Sequence, residues 1–190
     1  MSNIPITVNV KSRSTRYLDD FVRLKCAPDM LVLNLFPNAK EITESFGAYR
    51  AVADRLRSQV SLSNASVNVF CVGDGHQPRT AATFAFRSAW TAWSIDPALK
   101  DRGPVPVARL KIIGKRIEDC DDMHVDIAII VCVHSHSRLE ECVKKIHARE
   151  RHVIAIPCCV PQVLNREPDE KYHDSGILSP HDLIKIWRYV

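Results

Sequence analysis

Short apolar segments alternate with segments of helical periodicity from residue 61 onward, and this alternation is the strongest constraint on the fold. The first apolar segment, "ASVNVFCVGDG", has the continuous apolar character of a strand buried on both faces. The pattern recurs in "WTAWSIDP", "ARLKIIGKRIED", "VDIAIIVCVHSH" and "RHVIAIPCCVP". Repeated strand–helix units place parallel strands in one sheet with helices on both faces. We therefore predict an α/β fold whose central strand is Val67–Val72.

The remaining segments complete this outline. Residues 1–16 are polar and predict an arm or a short edge strand. Helical spacing is present in "RYLDDFVRLKCA", "NAKEITESFGAYRAVADRLRSQV" and "SRLEECVKKIHARE", and Pro28 breaks the first of these patterns. Residues 165–176 predict a loop, and "DLIKIWRYV" predicts a sixth strand. A chain of 190 residues suits one domain with a sizeable core. We expect a helical region over 1–60 that packs on a Rossmann-like core over 61–190.

A glycine turn follows the first strand. Gly73 and Gly75 can adopt positive φ and let a ligand approach the backbone closely. Pro78 suits the first turn of the next helix, whose free amides would face the same crevice. A tight strand-to-helix turn also favours glycine without any ligand, so both interpretations stay open.

Acidic residues follow the second and third strands. Asp96 lies 21 residues after Gly75, close to the spacing at which Rossmann-type sites bind ribose hydroxyls. Its alternative role is a cap before Pro97. Glu118 and Asp119 follow the third strand and could accept from an adenine amino group, or they belong to a solvated acidic loop.

The order of "VFCVGDG", "WSIDP", "RIEDC" and "DIAIIVCVH" resembles the class I S-adenosylmethionine-dependent methyltransferases, with a degenerate first motif. The resemblance covers residues 67–160 and implies S-adenosylmethionine as cofactor in a Rossmann-like, mostly parallel sheet. It also implies the parts of the site. Gly73, Asp74 and Gly75 would flank the methionine part of the cofactor, and Asp96 would bind its ribose. Glu118 or Asp119 would bind the adenine, and His134 would face the transferred methyl group as candidate base.

The chain departs from this family in two places. Strand four ends in "VHSH", which is neither the motif of base-directed amino methyltransferases nor that of ribose methyltransferases. The family usually ends in a hairpin of two further strands, whereas only about 30 residues follow strand five here. The acceptor therefore cannot be identified, although "VHSH" and "IPCC" favour RNA slightly. The alternative function is an inactive, methyltransferase-like binding or scaffolding module.

A second chemistry is open to the histidines and cysteines that follow strands four and five. His134, His136, Cys158 and Cys159 are residue types that hold zinc, and neighbouring strands would bring them together. Adjacent cysteines on an extended chain point apart, however. We therefore expect no metal, with these four residues as the minor alternative.

Three arginines and a tyrosine are assigned from their positions on the helices. We expect Arg79 to reach a ligand carboxylate or phosphate and Arg87 to face solvent. Tyr49 and Arg50 would pack across the crevice from the preceding helix.

Charge and cysteine content indicate which partners and which cellular compartment suit the protein. A net charge of +4 permits an anionic acceptor but is far from that of a dedicated nucleic-acid binder. The seven cysteines lie mostly in apolar runs, as expected of free thiols in the cytoplasm. No apolar run suits a signal peptide or a membrane span. A protein partner or homo-oligomer stays open.

Overall fold

One seven-stranded sheet organises the computed structural model, which describes residues 13–190. The predicted N-terminal arm therefore lies almost entirely outside the described residues. Within them, the strands are β1 (Val67–Val72), β2 (Thr91–Ile95), β3 (Leu110–Ile113), β4 (Met123–Val133), β5 (Ile146–Ile156), β6 (Glu170–His173) and β7 (Leu183–Trp187). The α-helices of the same residues are α1 (Arg16–Val22), α2 (Ala27–Val32), α3 (Ala39–Arg55), α4 (Arg79–Arg87) and α5 (Leu139–Lys145).

The strand order is β3-β2-β1-β4-β5-β7-β6. β1 pairs in parallel with β2 and β4, and the parallel pairing extends to β3 on one side and to β5 on the other. β7 is antiparallel to both β5 and β6. The predicted Rossmann-like, mostly parallel sheet with a central β1 is confirmed.

Each face of the sheet has its own core, because successive side chains of a buried strand point to opposite faces. On β4, Ile129 and Val131 pack in the cluster that includes α3 and α4. Ile130 and Cys132 pack in the second cluster, with Leu139 of α5. Both faces are therefore covered by helices, as a parallel sheet requires.

The long helix α3 is the main connection between the N-terminal residues and the sheet. Its start is capped by Asn38, whose side chain accepts a hydrogen bond from Glu41 N at 3.1 Å. All residues from position 42 to position 49 are buried, and α3 contacts α1, α4, β4 and β5. The helix therefore lies between the outer helices and the sheet. No helix within residues 13–190 has the length and apolar character needed to cross a bilayer.

Three sequence predictions about the elements were wrong. The stretch predicted as a loop contains β6, so the chain does form a terminal β6–β7 pair. The helix predicted over "SRLEECVKKIHARE" ends at Lys145, and β5 begins at Ile146 without an intervening loop. Pro28 does not end a structured segment but lies in the first turn of α2, where its missing N–H costs nothing.

Candidate functional site

A crevice of about 680 Å³ opens at the carboxyl ends of β1, β2 and β4. In the sheet, β2 lies on one side of β1 and β4 lies on the other, so the strand order reverses at β1. Open α/β sheets bind ligands at such a switch point. Several residues predicted from the sequence line the crevice: Gly73, Gly75, Asp96, Glu118, His134 and His136. The structure does not place Asp74, Asp119, Cys158 or Cys159 in its wall.

The glycine turn after β1 has the predicted backbone conformation. Gly73 and Gly75 have φ values of +76° and +79°. A Cβ atom at Gly73 would lie only 2.7 Å from Cβ of Ser135, which follows β4. Glycine at position 73 is thus required both by its dihedral angle and by the close approach of the β4 loop.

Asp96 extends from the end of β2 toward this turn. Its Oδ2 accepts a hydrogen bond from Gly75 N at 2.9 Å, and its Oδ1 accepts one from Ala98 N at 2.8 Å. The second bond caps the short 3₁₀ helix Pro97–Leu99, so the cap considered from the sequence is present. A carboxylate has about four lone-pair positions, so Asp96 can still accept from a ligand that enters the crevice.

Asp74 has a different position from its glycine neighbours. It is buried, and its carboxylate accepts hydrogen bonds from Thr80 N, Ala81 N and Ser94 Oγ at 2.9–3.1 Å. Asp74 therefore caps the start of α4 and ties it to β2. Burial raises the pKa of this carboxyl, although Arg79 and the three hydrogen bonds oppose the rise.

The two acids after β3 lie on a short 3₁₀ turn, Ile117–Asp119. Both acids are exposed, whereas Ile117, the first residue of the turn, is buried. Glu118 lines the crevice together with Ile117, whereas Asp119 does not. Of the pair, Glu118 is the one that can reach a ligand there.

His134 stands at the end of β4 with a φ of 50°. Positive φ is uncommon for a residue with a side chain, and such residues cluster at functional sites. The ring is held from both sides: its Nε2 lies 3.2 Å from the carbonyl oxygen of His181, and its Nδ1 lies 3.3 Å from Oε1 of Glu44. His134 is therefore fixed in position at the wall of the crevice.

Glu44 is the functional candidate that the sequence did not reveal. The residue is only 1% exposed, and among residues 13–190 neither carboxylate oxygen receives a hydrogen bond. The side chain of Lys40 is exposed, and its Nζ lies 3.5 Å from Oε1 of Glu44. Burial of a carboxylate that accepts no hydrogen bond costs free energy of folding, and this cost marks Glu44 as a candidate functional residue. Periodicity could not find it, because this part of α3 is buried on all sides.

The positively charged residues of α4 differ from expectation in one case. Arg79 lines the crevice, with its Nε 2.6 Å from Oε2 of Glu41. Arg87 does not face solvent as predicted, because its guanidinium lies 4.0 Å from the ring centroid of Tyr49 and 4.8 Å from that of Phe46. Arg87 therefore belongs to the packing between α3 and α4.

Tyr49 and Arg50 do not pack across the crevice. Tyr49 packs on Phe84 of α4, with ring centroids 5.4 Å apart, and its hydroxyl donates to the carbonyl of Arg87. Arg50 forms an ion pair with Asp20. Both residues fix the N-terminal helices, and the crevice wall does not include them.

The histidine and cysteine residues after β4 and β5 come together only in part. A ring nitrogen of His136 and the Sγ atoms of Cys158 and Cys159 lie within 4.8 Å of one another, whereas the side chain of His134 is turned toward Glu44. The expectation that adjacent cysteines point apart was wrong. The chain leaves β5 at Ile156 and bends at residues 158–160, so the alternation of an extended strand no longer applies.

The strand order, the antiparallel β7 and the crevice at the switch point are those of a Rossmann-like, methyltransferase-type fold, as expected from the sequence. Among solved structures, a point mutant of MtNAS in complex with S-adenosylmethionine is similar, with a TM-score of 0.53, 10% identity, and coverage of 92% of this chain and 71% of that chain. MtNAS in complex with MTA and tNA gives a TM-score of 0.52, 10% identity, and coverage of 93% and 69%. No protein-family model matches the sequence, and no curated protein matches it significantly.

Proposed function

We propose that this protein binds S-adenosylmethionine in the crevice and transfers its methyl group to an acceptor. The observation that carries the proposal is the Asp96–Gly75 hydrogen bond, which fixes a carboxylate and a positive-φ glycine turn side by side at the switch point of the sheet. The glycine turn lets a ligand approach the backbone closely, and the carboxylate of Asp96 beside it can accept hydrogen bonds from hydroxyl groups. The methyltransferase fold and a solved structure with S-adenosylmethionine on the same fold support this choice of ligand.

The ligand would extend from the glycine turn to the turn after β3. Its methionine part would lie at Gly73 and Gly75, its ribose hydroxyls would donate to Asp96, and its adenine would lie over Ile117 beside Glu118. Asp74 and Asp119 were included in this set from the sequence. Asp74 would act by holding the start of α4, and Asp119 has no position in the crevice wall.

His134 is the residue best placed at the methyl end, because it combines a position in the crevice wall with a titratable ring directly at the end of β4. Since its Nε2 faces a carbonyl oxygen and must donate there, a proton taken from the acceptor would be held at Nδ1. Glu44 would stabilise the imidazolium that forms. Methyl transfer otherwise depends mainly on alignment of the acceptor with the sulfonium.

RNA is the acceptor class that we would test first. Lys115 and Arg116 are exposed where they line the crevice, and the chain has a net charge of +4, which favours an anionic acceptor at this face. A protein partner, a second copy of the chain and a cytoplasmic location stay predictions from the sequence.

A binding module without catalysis is the second candidate. It is favoured by the contacts of the crevice residues themselves, since Arg79 is paired with Glu41 and His134 is held between Glu44 and His181. In this case the crevice would bind an adenosyl compound without transferring a methyl group.

Isothermal titration calorimetry with S-adenosylmethionine and S-adenosylhomocysteine tests the proposal, with NAD as the control ligand. We expect both adenosyl ligands to bind with one site per chain and NAD not to bind. Isotope-labelled S-adenosylmethionine, offered with RNA, protein and small-molecule fractions, then separates enzyme from binding module. Absence of binding by both adenosyl ligands would contradict the proposed function.

A further inference from the structure

Three soft or borderline donor atoms lie together beside the crevice. The Sγ atoms of Cys158 and Cys159 are 3.6 Å apart, and the Sγ of Cys159 is 3.4 Å from Nε2 of His136. His136 and Cys159 are exposed and Cys158 is half-buried, so an ion from solvent can reach all three. His136 also lines the crevice, which places the cluster at its rim.

These distances agree with tetrahedral coordination. Zinc binds thiolate sulfur at about 2.3 Å and imidazole nitrogen at about 2.0–2.1 Å, so tetrahedral angles place two sulfurs about 3.8 Å apart and a sulfur about 3.6 Å from a nitrogen. Both observed separations are within about 0.2 Å of these values. The third pair, Cys158 Sγ and the ring nitrogen of His136, lies within 4.8 Å, so it would have to close by up to about 1.2 Å to hold an ion.

The loop that carries His136 is held in place by a buried amide. Gln162 is fully buried, and its Nε2 donates to the carbonyl oxygens of Ser135 and Ser137 at 2.8 and 3.1 Å. Ser137 N donates in turn to Ser135 Oγ. The residues on both sides of His136 are thus fixed by contacts independent of the cysteines, so the backbone that carries this one donor is arranged in advance.

We propose that His136, Cys158 and Cys159 form a zinc site at the rim of the crevice. The two thiols would lose their protons to solvent as two Zn–S bonds form, and the two thiolates would balance the charge of the ion. Three protein ligands leave the fourth tetrahedral position for water or for an external ligand, which is the pattern of zinc sites that are not closed structural ones. This proposal does not depend on what the crevice binds.

Zinc content and affinity of the purified full chain test the proposal. Protein kept under a non-thiol reductant is loaded with ZnSO4, freed of excess ion and measured by elemental analysis and competition with a chromophoric chelator. We expect about one zinc per chain, and at least about a hundredfold weaker binding for Cys158→Ser, Cys159→Ser and His136→Ala, since each removes a ligand. Cobalt loading should give a sulfur-to-metal charge-transfer band that both serine variants weaken.

Cys26→Ser is the matched control, because Cys26 is a half-buried free thiol outside the cluster. It should retain the zinc of the unaltered chain, and circular dichroism of all variants would show that each is folded. Wild-type protein that stays free of zinc after loading would overturn the proposal. So would zinc retained by the Cys158→Ser/Cys159→Ser double variant, or a Cys158–Cys159 disulfide that persists under the reductant.

Discussion

Asp96 accepts a hydrogen bond from the backbone N–H of Gly75 at 2.9 Å, across a separation of 21 residues. The bond joins the turn after β1 to the end of β2, so the two walls of the crevice are fixed to each other. A ligand would therefore meet a site formed in advance, which lowers the ordering cost of binding. It also means that Asp96 supports the fold as well as the site.

Replacement of Asp96 should affect both binding and stability. For Asp96→Ala we expect at least about tenfold weaker binding of S-adenosylmethionine, because a charged acceptor for ribose hydroxyls is lost, and about 1–2 kcal/mol less stability, because two backbone N–H groups lose their partner. Calorimetry and urea denaturation measure the two effects.

Two further variants separate these roles of Asp96. Asp96→Asn retains one acceptor oxygen and should recover part of the stability, and Asp101→Ala, at an exposed acid nearby in sequence, should change neither quantity. Equal ligand affinity for the unaltered chain and Asp96→Ala would show that the ribose lies elsewhere.

Gly73 should tolerate no side chain. Gly73→Ala forces a left-handed backbone on alanine and drives its Cβ into Ser135, so we expect a loss of about 2–4 kcal/mol in the free energy of unfolding. Gly103→Ala is the control, since an added Cβ there meets nothing within 4 Å. Similar stabilities for the two variants would mean that the turn relaxes more freely than its packing indicates.

Asp74 should give stability an unusual dependence on pH. Because burial raises its pKa in the folded chain, the folded state binds the proton more tightly than the unfolded state does. The contribution of Asp74 to stability therefore grows as pH falls through the folded pKa and levels off below the ordinary aspartate range. Asp169, whose pKa is lowered by Arg166, contributes in the opposite direction.

Urea denaturation of the unaltered chain and of Asp74→Asn over a series of acidic pH values isolates this effect. The amide of the variant cannot titrate, so the difference in unfolding free energy between the two proteins should increase as pH falls in that window. At neutral pH we expect the variant to be about 1–3 kcal/mol less stable, because one oxygen cannot accept from both Thr80 N and Ala81 N. A difference that shrinks toward acid pH would contradict the assignment.

The parts of the molecule that the sequence predicts well are those where one local pattern determines the structure. The continuous apolar run of β1 predicts a strand that is buried on both faces. Gly73 and Gly75 directly after it predict a tight turn. The position of Asp96 at the end of β2 follows from the length of the strand and of the crossover before it. The parallel sheet and the crevice were predictable for these reasons.

Other features depend on tertiary contacts that no local pattern records. β6 is a four-residue strand with alternating exposure, and its polar composition resembles a loop. Glu44 is buried because α1, α4 and the sheet surround α3, whereas its sequence neighbours give an ordinary helical pattern. The Cys158–Cys159 contact depends on where β5 ends, and strand boundaries are poorly determined by sequence.

The position of β7 between β5 and β6 has a consequence for how this sheet assembles. β6 comes earlier in the chain than β7, yet in the described sheet it is joined to β5 through β7. Because β6 pairs only with β7 in that sheet, it can join the sheet only together with residues 183–187, and the parallel strands before them already require long loops to close. The strands at the crevice, β1, β2 and β4, precede this pair in the chain and pair with one another without it, so their register does not depend on this edge of the sheet.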